Sequence, residues 1–301
     1  MSRMDFKQIE AFVNVVKYKS FSKAADALFL TQPTISTHVS TIEKELGIRL
    51  IDRHGKEALP TKQGKILFKY AVHMINTREK AVFSLQSFTK EINGILEIQA
   101  SSVPGEYLVP SLITKFRERY PLVRFYLEQS DSNKVEENLL EQKGEIGFTG
   151  YMGTDNLMYK KLIDDHLVLI TPRNERFKSI AGREIRIEDI INESFVWREQ
   201  GSATRKEFEN KISVMGYNPK QMKVVARMNT MEAIKQAVSN GLGISIISGI
   251  AVDCDQSCRG YLTFEIKDMN LDREFYLIWN KNVALSPTAE AFKTFVLDSY
   301  K

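Results

Sequence analysis

Cysteine is nearly absent from this 301-residue chain, with Cys254 and Cys258 the only two. Their CDQSC spacing lacks the second pair that a structural zinc site requires, so the fold has to hold by burying a core. Either a redox pair or two reduced intracellular thiols fits them. Histidine is scarce too: His38, His54, His73 and His166 are scattered without metal-ligand spacing. No run of about 20 apolar residues reaches the length of a membrane span, and no N-terminal apolar run suits a signal peptide, so the expected location is the cytoplasm. Catalytic signatures are missing as well. REQGSATR lacks the flanking glycines of a nucleophile elbow, and in GLGISII the glycines precede a strand where a dinucleotide loop has them follow one. No catalytic constellation, cofactor, metal or membrane partner is expected.

A hydrophobic fraction of 43% and a charged fraction of 27% are those of a globular protein, with length for two or three domains. The net charge is only +4, but it is unevenly placed. Residues 1–65 hold 11 of the 42 Lys and Arg against 7 of the 38 Asp and Glu, leaving 31 of each sign for the rest. A small basic module on a neutral body suits attraction to phosphate.

Within that module, Phe21 to Gly47 reads as two short helices with a sharp joint. Ser22 is the expected N-cap of the first, whose Ala24, Ala25 and Ala27 allow another helix close. Thr31 caps the second, with Pro33 in its first turn and Gly47 at its end. Ile35, Val39, Ile42 and Leu46 form one apolar stripe, opposite Pro33, Thr37, Ser40, Thr41 and Lys44. The polar face is rich in hydroxyls where an ordinary solvated helix carries Glu and Lys. That suits a helix-turn-helix reading base edges, and an antiparallel helix pair is the plainer alternative. A preceding helix, Met4 to Tyr18, places Phe6, Ile9, Val13 and Val16 on one face. IRLIDRHGKEALPT reads as two strands around a basic turn, where Arg53 and Lys56 reach phosphates. From Thr61 to about Phe88, Leu67, Ala71, Met74, Ala81 or Val82, Leu85 and Phe88 recur at heptad-like spacing. Such a stripe packs either on its own domain or on a second copy across a two-fold axis.

The blocks FSKAADAL, TQPTIS, IEKELGIRL, DRHGK and LPTKQG, in this order and spacing, resemble the winged helix-turn-helix of LysR-type transcriptional regulators over Met4 to Gly64. The resemblance implies double-stranded DNA as partner, with Ser22, Thr31, Gln32, Pro33, Thr34, Ser36, Thr37, His38, Arg53 and Lys56 as contact candidates, and a dimer built on the long helix. Thr37 and His38 stand where the family often has a longer basic or amide side chain, and Ile51 where it usually has Phe. Spacing and DNA shape are therefore expected to supply much of the specificity.

Beyond Leu96 strands and helices alternate, with strands at Gly94 to Ala100, Val123 to Gln129, Glu145 to Gly150, Leu167 to Thr171, Ser194 to Arg198, Met222 to Arg227, Ile244 to Ile247, Tyr261 to Ile266 and Glu274 to Trp279. This predicts an α/β fold with a largely parallel sheet. The segments SSVPGEYLVPSLITKFRERYP, GEIGFTG, REQGSATR and MNTMEAIKQAVSNGLGISII resemble the effector domain of the same family, which implies two subdomains folded like the periplasmic solute-binding proteins (type II). Expected boundaries are 1–65 for the DNA-binding domain, 66–90 for the linker helix and 91–301 for the effector domain. The effector domain divides into 91–162 plus 267–301, and 163–266.

Ser101, Ser102, Thr149, Gly201, Ser202 and Thr204 sit where strands end and helices begin. Serines there are ordinary N-caps or, with backbone N–H groups alongside, an anion site. In the sulfur- and carboxylate-sensing members of the family the effector lies between matching positions. The hydroxyl lining suits a small anion, carboxylate or amino-acid derivative; Arg205, one turn into a helix, either adds charge or points away, and Tyr107 and Trp197 are the aromatic groups placed to close the cleft. The whole reads as a regulator binding an inverted-repeat operator as a homodimer or, as the family implies, a homotetramer, with RNA polymerase a further partner of such proteins. The alternative is a small-anion or amino-acid binding protein whose N-terminal domain serves only assembly.

Overall fold

The computed structural model describes residues 4–52, 57–85, 92–253, 260–267 and 269–300. Helices α1 (Phe6–Tyr18), α2 (Phe21–Leu28) and α3 (Gln32–Leu46) are followed by an antiparallel two-stranded wing, β1 (Ile51–Asp52) and β2 (Leu59–Pro60), and by α4 (Lys62–Leu85). Asp5 and Gln8 form a capping box at α1. Ser20, not Ser22, caps α2. Its extended backbone turns Oγ toward the Lys23 N–H at 3.3 Å, while Ser22 lies inside the first turn. Phe29 ends α2 in the left-handed region at φ 56°, and Thr31 caps α3 as expected. Phe12, Ile35, Val39, Ile42, Leu50 and Ile51 are fully buried, each contributing roughly 1.5–3 kcal/mol.

The wing is tied to α3 by Glu43, whose Oε1 accepts hydrogen bonds from Leu50 N (2.8 Å) and Ile51 N (3.1 Å). A Cβ on Gly64 would stand 2.0 Å from the Leu50 carbonyl oxygen, so α4 abuts the wing only with glycine there. The basic turn, with Arg53 and Lys56, lies outside the described residues, as do Cys254 and Cys258.

The long-helix stripe requires correction. Ala71 is buried, and Leu67 and Met74 half-buried, against the chain's own helix-turn-helix core. Leu85, five turns beyond Leu67 on the same stripe, is 87% exposed, Phe88 lies outside the described residues, and Ile66 and Tyr70 on a different face are exposed by 61 and 67%. A helix with apolar residues on two faces does not declare from periodicity which one its own domain takes.

The α/β half continues with β3 (Gly94–Ser101), a π-helical turn at Pro104–Leu108, α5 (Val109–Arg119), β4 (Val123–Ser130), α6 (Ser132–Leu140), β5 (Ile146–Thr149) and β6 (Leu157–Pro172). Next come α7 (Glu175–Lys178), α8 (Ile187–Ile190), β7 (Ser194–Arg198), α9 (Ala203–Val214), β8 (Lys223–Met228) and α10 (Met231–Ser239). The chain closes with β9 (Ser245–Ser248), α11 (Gly249–Asp253), β10 (Tyr261–Phe264), β11 (Asp272–Asn280) and α12 (Pro287–Ser299).

The sheet is mixed where the alternation of elements predicts largely parallel pairing. β4, β3 and β5 are parallel, and so are β7 and β8, but β11 runs antiparallel to both β5 and β6, and β6 antiparallel to β9 and β10. The reason is β6. It spans 16 residues, and the strand expected at Leu167 to Thr171 is only its buried end; the preceding YKKLIDDH carries exposed positions and shows no apolar run. β6 and β11 cross together between two lobes. One has a core around Phe116, Phe148 and Phe292, the other around Phe195, Trp197 and Phe208.

The first lobe also grips α4. Asn76 Nδ2 donates to Ala284 O (2.9 Å) and Glu145 Oε1 (3.1 Å), Ala284 N donates to His73 Nδ1 (2.9 Å), and Gln142 Nε2 donates to Lys69 O (2.8 Å). Burial pushes the Glu145 carboxyl above its ordinary 4.5, although Ser286 donates to it through both N and Oγ. A raised folded value means that the stability is complete below the unfolded pKa and is lost as pH rises through the folded one. A Glu145→Gln variant escapes that loss, so its melting temperature relative to the parent should climb as the pH rises above the ordinary carboxylate range of about 4; a pH-independent difference would contradict the raised carboxyl.

Candidate functional site

Gln32, Pro33, Ser36, Thr37, Ser40, Thr41 and Lys44 share one open face of α3. Thr37 Oγ1 donates to Pro33 O at 2.9 Å and Thr41 Oγ1 to Thr37 O at 2.8 Å. Their hydroxyl protons are thus spent on the helix, which leaves oxygen lone pairs and methyl groups to face outward. Such a surface accepts from base amino groups and makes apolar contact with thymine methyls. Thr31 Oγ1 is occupied as a cap with Thr34, and the half-buried Thr34 and His38 lie off that face. Ser22 is exposed in the first turn of α2. Ser40, Thr41 and Lys44 belong to the open face although the contact candidates omit them.

Ser101, Ser102, Ser202 and Thr204 come together at a closed cleft between the lobes, around a cavity of about 20 Å³. That volume holds about one water. Thr149 does not line it; fully buried behind the neighbouring Gly150, its Oγ1 accepts from Tyr151 N. Gly201 acts by its lack of a side chain, since a Cβ there would fall 2.4 Å from the Asp131 carboxylate carbon. Three of these hydroxyls already have partners. Ser102 Oγ accepts from Arg198 Nη2 (2.8 Å), Thr204 Oγ1 from Arg273 Nη1 (2.8 Å), and Ser202 Oγ caps α9. Arg205 turns away to Glu209 and the face of Trp197, and Trp197 is itself a core residue bonded to Glu209. Tyr107 OH meets Lys235 Nζ at 3.3 Å and does not line the cavity.

The charged members of the cleft escaped the sequence reading. Arg273 projects from β11 and Arg198 ends β7, both more than nine-tenths buried by side chain. Arg273 Nε donates to Asp165 Oδ2 at 2.7 Å, and Asp165 also accepts from Ser248 Oγ. Arg273 Nη2 has no hydrogen-bond partner and is buried. Burial pushes this guanidinium below its ordinary value against the opposing pull of Asp165. Arg198 forms a bidentate pair with Glu199, Nε to Oε2 at 2.8 Å and Nη2 to Oε1 at 2.7 Å. The signal for Arg273 was available: in DREFYL it alternates with Phe275 and Leu277, which assigns it to the buried face of a strand.

A winged helix-turn-helix, joined by a long helix to a two-lobed α/β unit with a polar cleft, defines the class of ligand-responsive DNA-binding regulators. Residues 6–65 match the family described as bacterial regulatory helix-turn-helix protein, lysR family, and residues 89–301 match the LysR substrate binding domain. The chain belongs to the LysR family of transcriptional regulators. An uncharacterized HTH-type transcriptional regulator of Methanocaldococcus jannaschii is 31% identical over 287 residues, covering 95% of this chain and 96% of that one. Full-length OxyR from Pseudomonas aeruginosa superposes with a TM-score of 0.81 at 19% identity over 100% of this chain and 95% of that one. The regulatory domain of Synechocystis CcmR, in complex with 2-PG, has a TM-score of 0.63 at 23% identity and covers 69% of this chain and 98% of that domain.

Removing one partner of a buried ion pair leaves the other charge uncompensated. Asp165→Ala should cost about 3–5 kcal/mol in denaturant unfolding, and Asp165→Ala combined with Arg273→Met should recover part of that loss. A single variant as stable as the parent would contradict the pairing.

Proposed function

We propose that this LysR-type regulator binds an inverted-repeat operator through paired winged helices and responds to a small oxyanion or carboxylate held between its lobes. The observation that carries the effector reading is Arg273: a buried guanidinium with an unpaired N–H group calls for a ligand that supplies an acceptor. Ser101, Ser102 and the N-terminus of α9 lie at the same cavity and suit an anion. CcmR's complex with 2-PG supports a small molecule at this kind of domain.

Pairing of two copies through the exposed apolar residues of α4, Ile66 and Tyr70 on one face and Leu85 at its end, would place two α3 helices on adjacent major-groove half-sites. Tetramers and contact with RNA polymerase extend the same reading, as does a cytoplasmic location. Among the described residues no helix is long and apolar enough to cross a membrane. The unit boundaries proposed are 1–65, 66–90 and 91–301, the last dividing into 91–162 with 267–301, and 163–266.

Gel shift with DNA from upstream of the protein's own gene, at two salt concentrations, tests this reading. Specific retardation with a steep salt slope is expected. Thr37→Ala should change the order of preference among operators, and Lys44→Ala should weaken all of them alike. Tyr70→Glu should lower the sedimentation mass toward that of a monomer. Unchanged DNA binding in both α3 variants would move the recognition surface elsewhere. Absence of any specific retardation would favour the ligand-binding protein whose N-terminal domain serves assembly.

A further inference from the structure

The anion cleft just proposed contains its own carboxylate. Arg198 offers Nε and Nη2 along one edge of its guanidinium, and Glu199 takes both, in the fork geometry by which arginine recognises carboxylates and phosphates. The same Nη2 reaches across to Ser102 Oγ on the other lobe, so this pair also sits on the contact that closes the cleft. The cavity left beside it, about 20 Å³, has no room for an oxyanion of several heavy atoms.

The charges point the same way. Arg198 and Arg273 face three carboxylates, Glu199 and Asp131 at the cleft and Asp165 behind Arg273. With Glu199 in place negative charge is in excess by one, which opposes an anion; without it the two signs balance. Turned out, it leaves Arg198 and the unpaired Nη2 of Arg273 as two donors at one site. Glu199 is able to leave. It follows the last residue of β7, precedes a turn, and its side chain is 27% exposed, whereas the Arg198 side chain is 3% exposed. The cation is fixed and the carboxylate has a route to water.

We propose that Glu199 is a built-in competitor of the effector, holding Arg198 where two oxygens of a small oxyanion bind. Binding exchanges the Glu199 carboxylate for the ligand's and releases it to solvent. The exchange sets the affinity threshold, because the ligand gains only the difference between its own pairing with the two arginines and that of Glu199. It also alters the Arg198–Ser102 contact between the lobes, which gives the ligand a differential effect on lobe closure.

The inference rests on the oxyanion reading of the cleft, and one titration separates the two. Sulfate, phosphate and glycolate would be titrated calorimetrically into the full-length parent, Glu199→Gln, Glu199→Ala, and Glu199→Gln combined with Arg273→Met. Tighter binding of at least one anion to both single variants, by roughly ten-fold or more, is expected, with loss of that gain in the double variant. Glu199→Ala guards against the amide of Glu199→Gln retaining a hydrogen bond to Arg198. Equal or weaker binding to both single variants would overturn the competitor while leaving the oxyanion cleft standing. Failure of every anion to bind the parent and all variants would overturn the oxyanion reading and this proposal with it.

Discussion

A guanidinium buried in a protein interior has to be balanced where it stands, and the two-lobed half of this chain is arranged around that requirement. Arg273 and Asp165 face each other as register partners on β11 and β6, the two strands that cross between the lobes. Asp165 takes further hydrogen bonds from Ser248 Oγ and Ile250 N in the second lobe, and Arg273 donates to Thr204 at the start of α9. The pair thereby joins the crossover to β9, α11 and α9. Asp165 takes Nε and Thr204 takes Nη1, and Nη2 is left buried without a hydrogen-bond partner.

From the same residue a physical connection runs toward the DNA-binding half. β11 extends from Asp272 to Asn280, and four residues further on the backbone of Ala284 is held by His73 and Asn76 of α4. Glu145, next to β5, fastens the same spot from the other side through Asn76 and Ser286. α4 is in turn packed into the helix-turn-helix core through Phe68, Ala71 and Val72. A change in how Arg273 is paired is thus imposed on a strand whose far end is bonded to the helix that carries the DNA-binding domain. Coupling of this kind requires that the ligand favour one arrangement of the lobes, and the Arg198–Ser102 hydrogen bond joins the two lobes across the cleft.

The helix-turn-helix was legible almost residue by residue because its signals are local. Thr31 and Gly47 bound α3 through their own side chain and backbone, and Ile35, Val39 and Ile42 are buried as their spacing predicts. Ser22 shows how fine the limit is: two serines lie two positions apart, and only the backbone of Ser20 is extended enough to cap. For the cleft, the hydroxyls were visible at strand ends, but their partners were not. Ser102 and Arg198 are 96 residues apart, and Thr204 and Arg273 are 69 apart. Nothing local relates such residues: the alternation in DREFYL assigns Arg273 to the buried face of its strand but does not say which hydroxyl or carboxylate it meets there.

By itself, then, the sequence determined the order and type of the long elements, the basic N-terminal module, the polar face of α3 and the family, since each follows from periodicity, capping or a run of matching residues. Tertiary structure alone decided three things. It chose which stripe of α4 is spent on its own domain, it made the sheet mixed by running β6 and β11 through both lobes, and it brought Arg198, Glu199 and Arg273 into one cleft. All three depend on contacts between residues far apart in the chain, where burial and charge compensation, not local propensity, set the outcome.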